Sequence, residues 1–298
     1  MSASFAERPL VFVANNATDD MTVIDPASGQ VVAEVAVGES PMVIAQIPGG
    51  NLLVTNTDGK DVALISRDSF ELLKRIPAGF GASGIAVSPA VMRAFVANEF
   101  EDTVTVIDLV TMEPLQTVHV GEGPCVVVTT PDGRFAATSN EVTGNVSLID
   151  ATTLAVTHTQ RYMLAPIGLG FTPDGSVALL ADYLSNAVAF IDAGTWQVQV
   201  SLDVGTRHVG LRISPDGRRA LVGNVDSGTV SVLDMARRRV VAEVPCGDAP
   251  SYVIFTPDGN SAIIANQGSN DIAFLDMKSL QITARVAAGI SPLGVLYG

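Results

Sequence analysis

The segment Arg207-His208-Val209-Gly210-Leu211-Arg212 carries three basic side chains in a stretch that otherwise reads as a β-strand. Residues 208, 210 and 212 share parity, so His208 and Arg212 are expected on one side of that strand. An imidazole titrates near neutral pH and can serve as general acid or base. A guanidinium near a channel axis needs an anionic group or bound water, because an unpaired buried charge is costly. The segment predicts a pocket for an anionic ligand, with His208 as the catalytic candidate and Arg207, Arg212 and Tyr252 as ligand contacts. A purely structural role fits the same residues, with Arg212 paired to an internal carboxylate and His208 capping a loop.

A second constellation is acidic. Glu39, Glu99, Glu101, Glu122, Glu141, Asp182, Asp226 and Asp248 all precede or follow short apolar stretches, at equivalent loop positions. Converging carboxylates can hold a divalent cation through their oxygens, and Glu39, Glu122, Asp182 and Asp248 are the candidates for it. The spacing of a calcium loop is absent, and a solvated rim accounts for the same residues. Glu99, Glu141 and Tyr183 are further candidate contacts for a bound molecule. Beyond that divalent cation no cofactor is implied: there is no nucleophile elbow, no Gly-rich phosphate loop and no zinc-ligand cluster.

The elements that position these groups follow from internal repetition. Pro-Asp-Gly ends at Gly133, Gly175, Gly217 and Gly259, in steps of 42 residues (175 − 133 = 217 − 175 = 259 − 217). A polar residue closes an apolar stretch at Asn15, Asn56, Asn98, Asn140, Asp182, Asn224 and Asn266. A third ladder runs Asp25, Ser66, Asp108, Asp150, Asp192, Asp234 and Asp276. Each unit reads as four short strands with period-2 alternation; in the fourth unit they cover 125–130, 134–139, 145–149 and 155–159. One such unit cannot bury both faces alone, so units must stack.

The first unit starts at Arg8-Pro9 without its first strand, while Pro292-Leu293-Gly294-Val295-Leu296-Tyr297 is a surplus one. A ring closed by that strand protects every edge. The expected fold is all-β: one seven-bladed propeller domain over 1–298, four antiparallel strands per blade, with the strand at 293–297 innermost in the blade containing 11–14. In this topology the loops entering the first strands and those between second and third strands share one face, the mouth of the channel. The ladder residues themselves read as scaffold, short polar side chains bonding backbone groups two residues on. Chemistry belongs where units differ, and the sixth unit differs most: His208 and Arg212 replace residues that are mostly proline and apolar or small elsewhere.

Phe95-Val96-Ala97-Asn98, Val104-Thr105-Val106-Ile107-Asp108 and Val118-His119-Val120-Gly121-Glu122-Gly123-Pro124 resemble the repeat of the YVTN β-propeller family, and the likeness runs along essentially the whole chain. That resemblance implies the fold. It implies no single activity, since relatives include surface-layer and exported proteins of unknown role.

Thirty-one acidic against 17 basic residues leave a net charge of −14, which repels phosphate backbones, and no basic run with interleaved aromatics offsets it. Nucleic acid is therefore not an expected partner. No apolar run is long enough to span a membrane as a helix, and the N-terminal residues have neither the basic nor the apolar region of a signal peptide, so the chain reads as cytoplasmic. Cys125 and Cys246 fall in different units and are not expected to pair. The leading functional reading is a binding module holding a small molecule or a protein partner at the channel mouth. A lyase- or lactonase-like propeller enzyme acting on a small anionic substrate is the alternative, and an interaction platform without pocket chemistry is another.

Overall fold

The computed structural model describes residues 8–298. Twenty-eight strands form seven antiparallel sheets of four, each sheet a blade. The innermost strands are Pro41–Gln46, Ala82–Ser88, Pro124–Thr129, Pro166–Phe171, His208–Ile213, Pro250–Phe255 and Pro292–Tyr297. Each touches the next around the ring. The last of them pairs antiparallel with Val11–Asn15, Val11 opposite Tyr297 and Val13 opposite Val295, so the first blade is built from both ends of the described chain. This is the closure expected from the missing and surplus strands.

The core is correspondingly divided. Seven apolar clusters lie one at each junction between neighbouring blades, as where Phe12 and Met21 of blade one meet Leu52 and Ile65 of blade two. Phe12, Phe95 and Phe190 are among the largest fully buried side chains. Burying one such ring stabilises the fold by roughly 1.5–3 kcal/mol, and only an adjacent blade can supply its cover.

The two polar ladders differ in how they work. The Asp ladder holds turns as expected: Asp108 Oδ1 accepts from the backbone N–H of Val110 and Thr111, each at 2.8 Å, and Asp150, Asp192 and Asp276 repeat the pattern. The Asn ladder corrects the expectation. These asparagines are fully buried and reach a side chain five residues on, across the following hairpin, instead of backbone two residues on; Asn15, Asn98, Asn140 and Asn224 also reach one seven residues on. Asn98 Nδ2 donates to Thr103 Oγ1 and Thr105 Oγ1, both at 2.9 Å, and Asn224 reaches Thr229 and Ser231 likewise. The cause is packing: in six blades the amide lies under the glycine that enters the innermost strand. A Cβ on Gly79 would sit 2.6 Å from Asn98 Cγ, and one on Gly289 2.6 Å from Asn15 Cγ. Blade five has no such glycine, and there Asp182 stands in, accepting from the N–H groups of Leu164, Ala165, Leu184 and Ser185.

Every innermost strand carries a one-residue slip against its neighbour near the mouth end. In blade six, His208 pairs with Asn224 but Leu211 with Val222 and Arg212 with Leu221. Cross-strand partners share a face, and residues 224 and 221 lie on opposite faces of their strand. The bulge therefore turns His208 and Arg212 to opposite sides, and the parity expectation fails.

Candidate functional site

The two mouth-side loop sets are tied together in all seven blades. The N–H groups of Asn16, Thr57, Glu99, Glu141, Tyr183, Val225 and Gln267 each donate to a carbonyl of the loop entering the first strand, as Glu141 does to Gly123 at 2.8 Å. Behind this rim the innermost strands enclose a central cavity of about 350 Å³ lined by residues of all seven blades. That volume lies at the small end of ligand pockets, roughly 300–1,000 Å³.

Five candidate contacts meet in this cavity: Glu99, Glu141, Tyr183, Arg212 and Tyr252. Between them the wall is aliphatic, with Ile85, Val127 and Leu169 among its residues. Arg212 and Tyr252 form one unit. The guanidinium lies over the Tyr252 ring, 4.6 Å from its centroid; Nη2 donates to the Tyr252 hydroxyl and Nη1 to the Leu211 carbonyl at 2.9 Å. Among the described residues no carboxylate forms an ion pair with Arg212. Gly210 lets the innermost strands of blades six and seven approach closely here: a Cβ on it would come 3.0 Å from Tyr252 Cα. Arg212 also borders two clefts on the Pro-Asp-Gly side, beside Pro131, Pro173 and Pro215, so it marks the end of the cavity away from the mouth.

Glu99 and Glu141 follow the second strands of blades three and four and mark the mouth end. Burial pushes the Glu99 carboxyl above its ordinary range, and the neighbouring Glu141 carboxylate adds to it. Burial raises Glu141 as well. Neither carboxylate has a hydrogen-bond or ion-pair partner among the described residues. Cys125 also borders the cavity, its thiol 3.7 Å from the Pro166 carbonyl of the next blade. Burial, with Glu141 and Glu99 adding, pushes that thiol to about 12, where it is a weak donor and not a nucleophile.

The remaining candidates lie elsewhere. Arg207 stands on the rim, pairing with Asp226 at 3.1 Å and donating to the Tyr183 hydroxyl, which holds Tyr183 at the cavity edge. His208 is fully buried, faces Asn224 with Nδ1 3.3 Å from Oδ1, and does not border the cavity. Burial holds its imidazole below the usual histidine range. Pro41, Pro124, Pro250 and Pro292 have no donor for the asparagine oxygen of their blades, which stays without a partner among the described residues, so His208 supplies a link that those blades lack. Asp182 is buried among four backbone donors; burial alone would raise its carboxyl, but those donors together hold it low. Glu39, Glu122 and Asp248 are exposed on the rim. Among the described residues no three His, Cys, Asp or Glu side chains converge as metal ligands.

One surface feature escaped the sequence reading. Phe100, Val142, Leu164 and Leu184 are between 56% and 68% exposed on the mouth-side loops of blades three to five, and the Phe80 ring packs against that of Phe100 at a tilt of 55°, centroids 4.9 Å apart. A signal existed: the slot two residues after the polar ladder is Phe100, Val142 and Leu184 in three successive blades, where blades two and six carry Asp58 and Asp226.

Comparison with known proteins adds the following. The model of the YNCE-like beta-propeller family matches residues 76–181. No curated protein matches the chain. Among solved structures, hydrazine synthase of Kuenenia stuttgartiensis superposes with a TM-score of 0.83 at 24% identity, over 89% of this chain and 92% of that one. A functionally unknown protein of Desulfotomaculum acetoxidans DSM 771 gives 0.85 at 13%, over 97% and 98%. A candidate 6-phosphogluconolactonase of Bacteroides fragilis NCTC 9343 gives 0.83 at 14%, over the whole of both chains. At these identities the likeness is one of fold. The family match together with seven four-stranded blades fits a YVTN-type seven-bladed β-propeller family.

Proposed function

We propose that this propeller is a binding module whose central cavity takes a small molecule through the mouth, with Arg212 and Tyr252 receiving an anionic group. The observation that carries this reading is a guanidinium without an ion-pair partner in a cavity shared by all seven blades. A buried-side arginine left unpaired is costly unless a ligand or water meets it. Screening a panel of small carboxylates and phosphate esters by calorimetry, on the native protein and on Arg212→Met, tests it. The expected result is binding that the substitution weakens by about 10- to 100-fold, the equivalent of a charged hydrogen bond of roughly 1.5–3 kcal/mol. Equal binding by both proteins counts against the reading.

A protein partner on the same face is a second reading, favoured by the apolar arc of Phe80, Phe100, Val142, Leu164 and Leu184. An enzyme of the lyase or lactonase kind would have to draw its acid from Glu99 or Glu141, because His208 is sealed from the cavity. A cytoplasmic setting belongs to this proposal too; unpaired Cys125 and Cys246 accord with a reducing compartment.

A further inference from the structure

We infer that the ligand of the central cavity is a small zwitterion, its cationic end between Glu99 and Glu141 at the mouth and its anionic end on Arg212 and Tyr252. This rests on the reading of Arg212 as an anion contact and adds the other half of the molecule.

Charges of both signs border one cavity and do not neutralise each other. Glu99 and Glu141 have no partner of their own, and Arg212 is turned to the Tyr252 ring and hydroxyl and the Leu211 carbonyl. In a cavity built only for stability these groups would pair or be replaced by apolar residues. What keeps them apart is the fold. The carboxylates follow strands of blades three and four at the mouth, whereas Arg212 is four residues down the innermost strand of blade six, on the order of 13 Å at about 3.3 Å per residue. The aliphatic wall between the two ends suits a short apolar spacer.

Charge balance decides between a zwitterion and a simple anion. Two carboxylates outweigh one guanidinium in the cavity, and the whole chain carries −14. A simple anion entering by the mouth would be repelled there. A ligand with an ammonium group is drawn to that mouth, and its positive end relieves the repulsion between Glu99 and Glu141. A divalent cation held by the two glutamates is the competing occupant, but a third ligating side chain does not converge there.

The test compares straight-chain ω-aminocarboxylates of increasing length with the alkanoate and the alkylamine of equal length, by calorimetry. The proposal expects one chain length to bind at least about tenfold more tightly than either single-charge analogue. Glu99→Gln with Glu141→Gln should reduce that ligand to the affinity of the alkanoate, while Arg212→Met should reduce it to that of the alkylamine; circular dichroism and melting temperature confirm that each variant folds. If the alkanoate binds as well as the zwitterion and needs Arg212, the zwitterion proposal falls and the anion reading stands. Binding by the alkylamine alone, with no effect of Arg212→Met, overturns both. The absence of binding by every member of the series overturns the zwitterion proposal, and the anion reading then stands or falls on its own panel, which includes phosphate esters. Calcium chloride binding that the double variant abolishes would replace the ammonium with a metal and also overturn the proposal.

Discussion

Arg67 Nη2 donates to the carbonyl of Gly298 at 3.0 Å, joining a loop of blade two to the strand that closes blade one. The same atom donates to the Arg8 carbonyl at 2.7 Å, and Arg67 is only 8% exposed. One guanidinium thus clasps both ends of the ring. Arg67→Ala should lower stability by about 1.5–3 kcal/mol, the range for a hydrogen bond to a charged group. Denaturant unfolding reads this; an unchanged midpoint would show that the clasp contributes nothing.

Removing residues 291–298 should be far more damaging than any single substitution. It deletes the partner of Val11–Asn15 and exposes unpaired inner strands in a ring that otherwise has none. The melting temperature of the truncated chain is the measurement, and a value equal to that of the intact protein would refute closure as a source of stability.

Asn98→Ala should cost about 2–4 kcal/mol, since it strips partners from Thr103, Thr105 and the Gly79 N–H in a buried setting. Asp108→Ala, at an exposed turn, should cost markedly less. The two can be compared in one series of urea melts, and the reverse order would undo the account of the Asn ladder.

His208 should titrate below the ordinary histidine value of 6.5, because burial disfavours its charged form. The sign follows: a depressed folded-state value gives stability that is present above the unfolded-state value and lost as pH falls through the folded one. Proton NMR of the imidazole resonances locates the midpoint. A midpoint at or above 6.5 would contradict the buried, neutral ring.

Glu99 and Glu141 titrate in the opposite sense. Their folded-state values lie above 4.5, so their contribution is fully present below the unfolded-state value and is lost as pH rises through the folded one. Glu99→Gln and Glu141→Gln should therefore stabilise the unliganded protein at neutral pH and make little difference in acid. Melting curves from acid to neutral pH should show the variants diverging upward from the native protein; parallel curves would mean that the carboxylates are not strained.

The division between sequence and tertiary structure is sharp and physical. Two ladders of seven rungs, the Pro-Asp-Gly turns at steps of 42 residues and the surplus strand at Pro292–Tyr297 were enough for blade number, strand number and closure. A repeat must bury each unit against its neighbour, and only a ring leaves no edge. Loop position likewise put Glu99, Glu141 and Tyr183 on the mouth side, where they border the central cavity, because the loops on one side of the repeated scaffold converge there. Orientation around Arg212 was not legible. One extra residue in each inner strand, seen only in pairing, sends His208 toward Asn224 and Arg212 toward Tyr252. Nor could sequence tell that the Asn ladder reaches across a hairpin, which follows from the glycine packed above each amide. Sequence periodicity sets which strands exist, while bulges and contacts between blades decide where their side chains point.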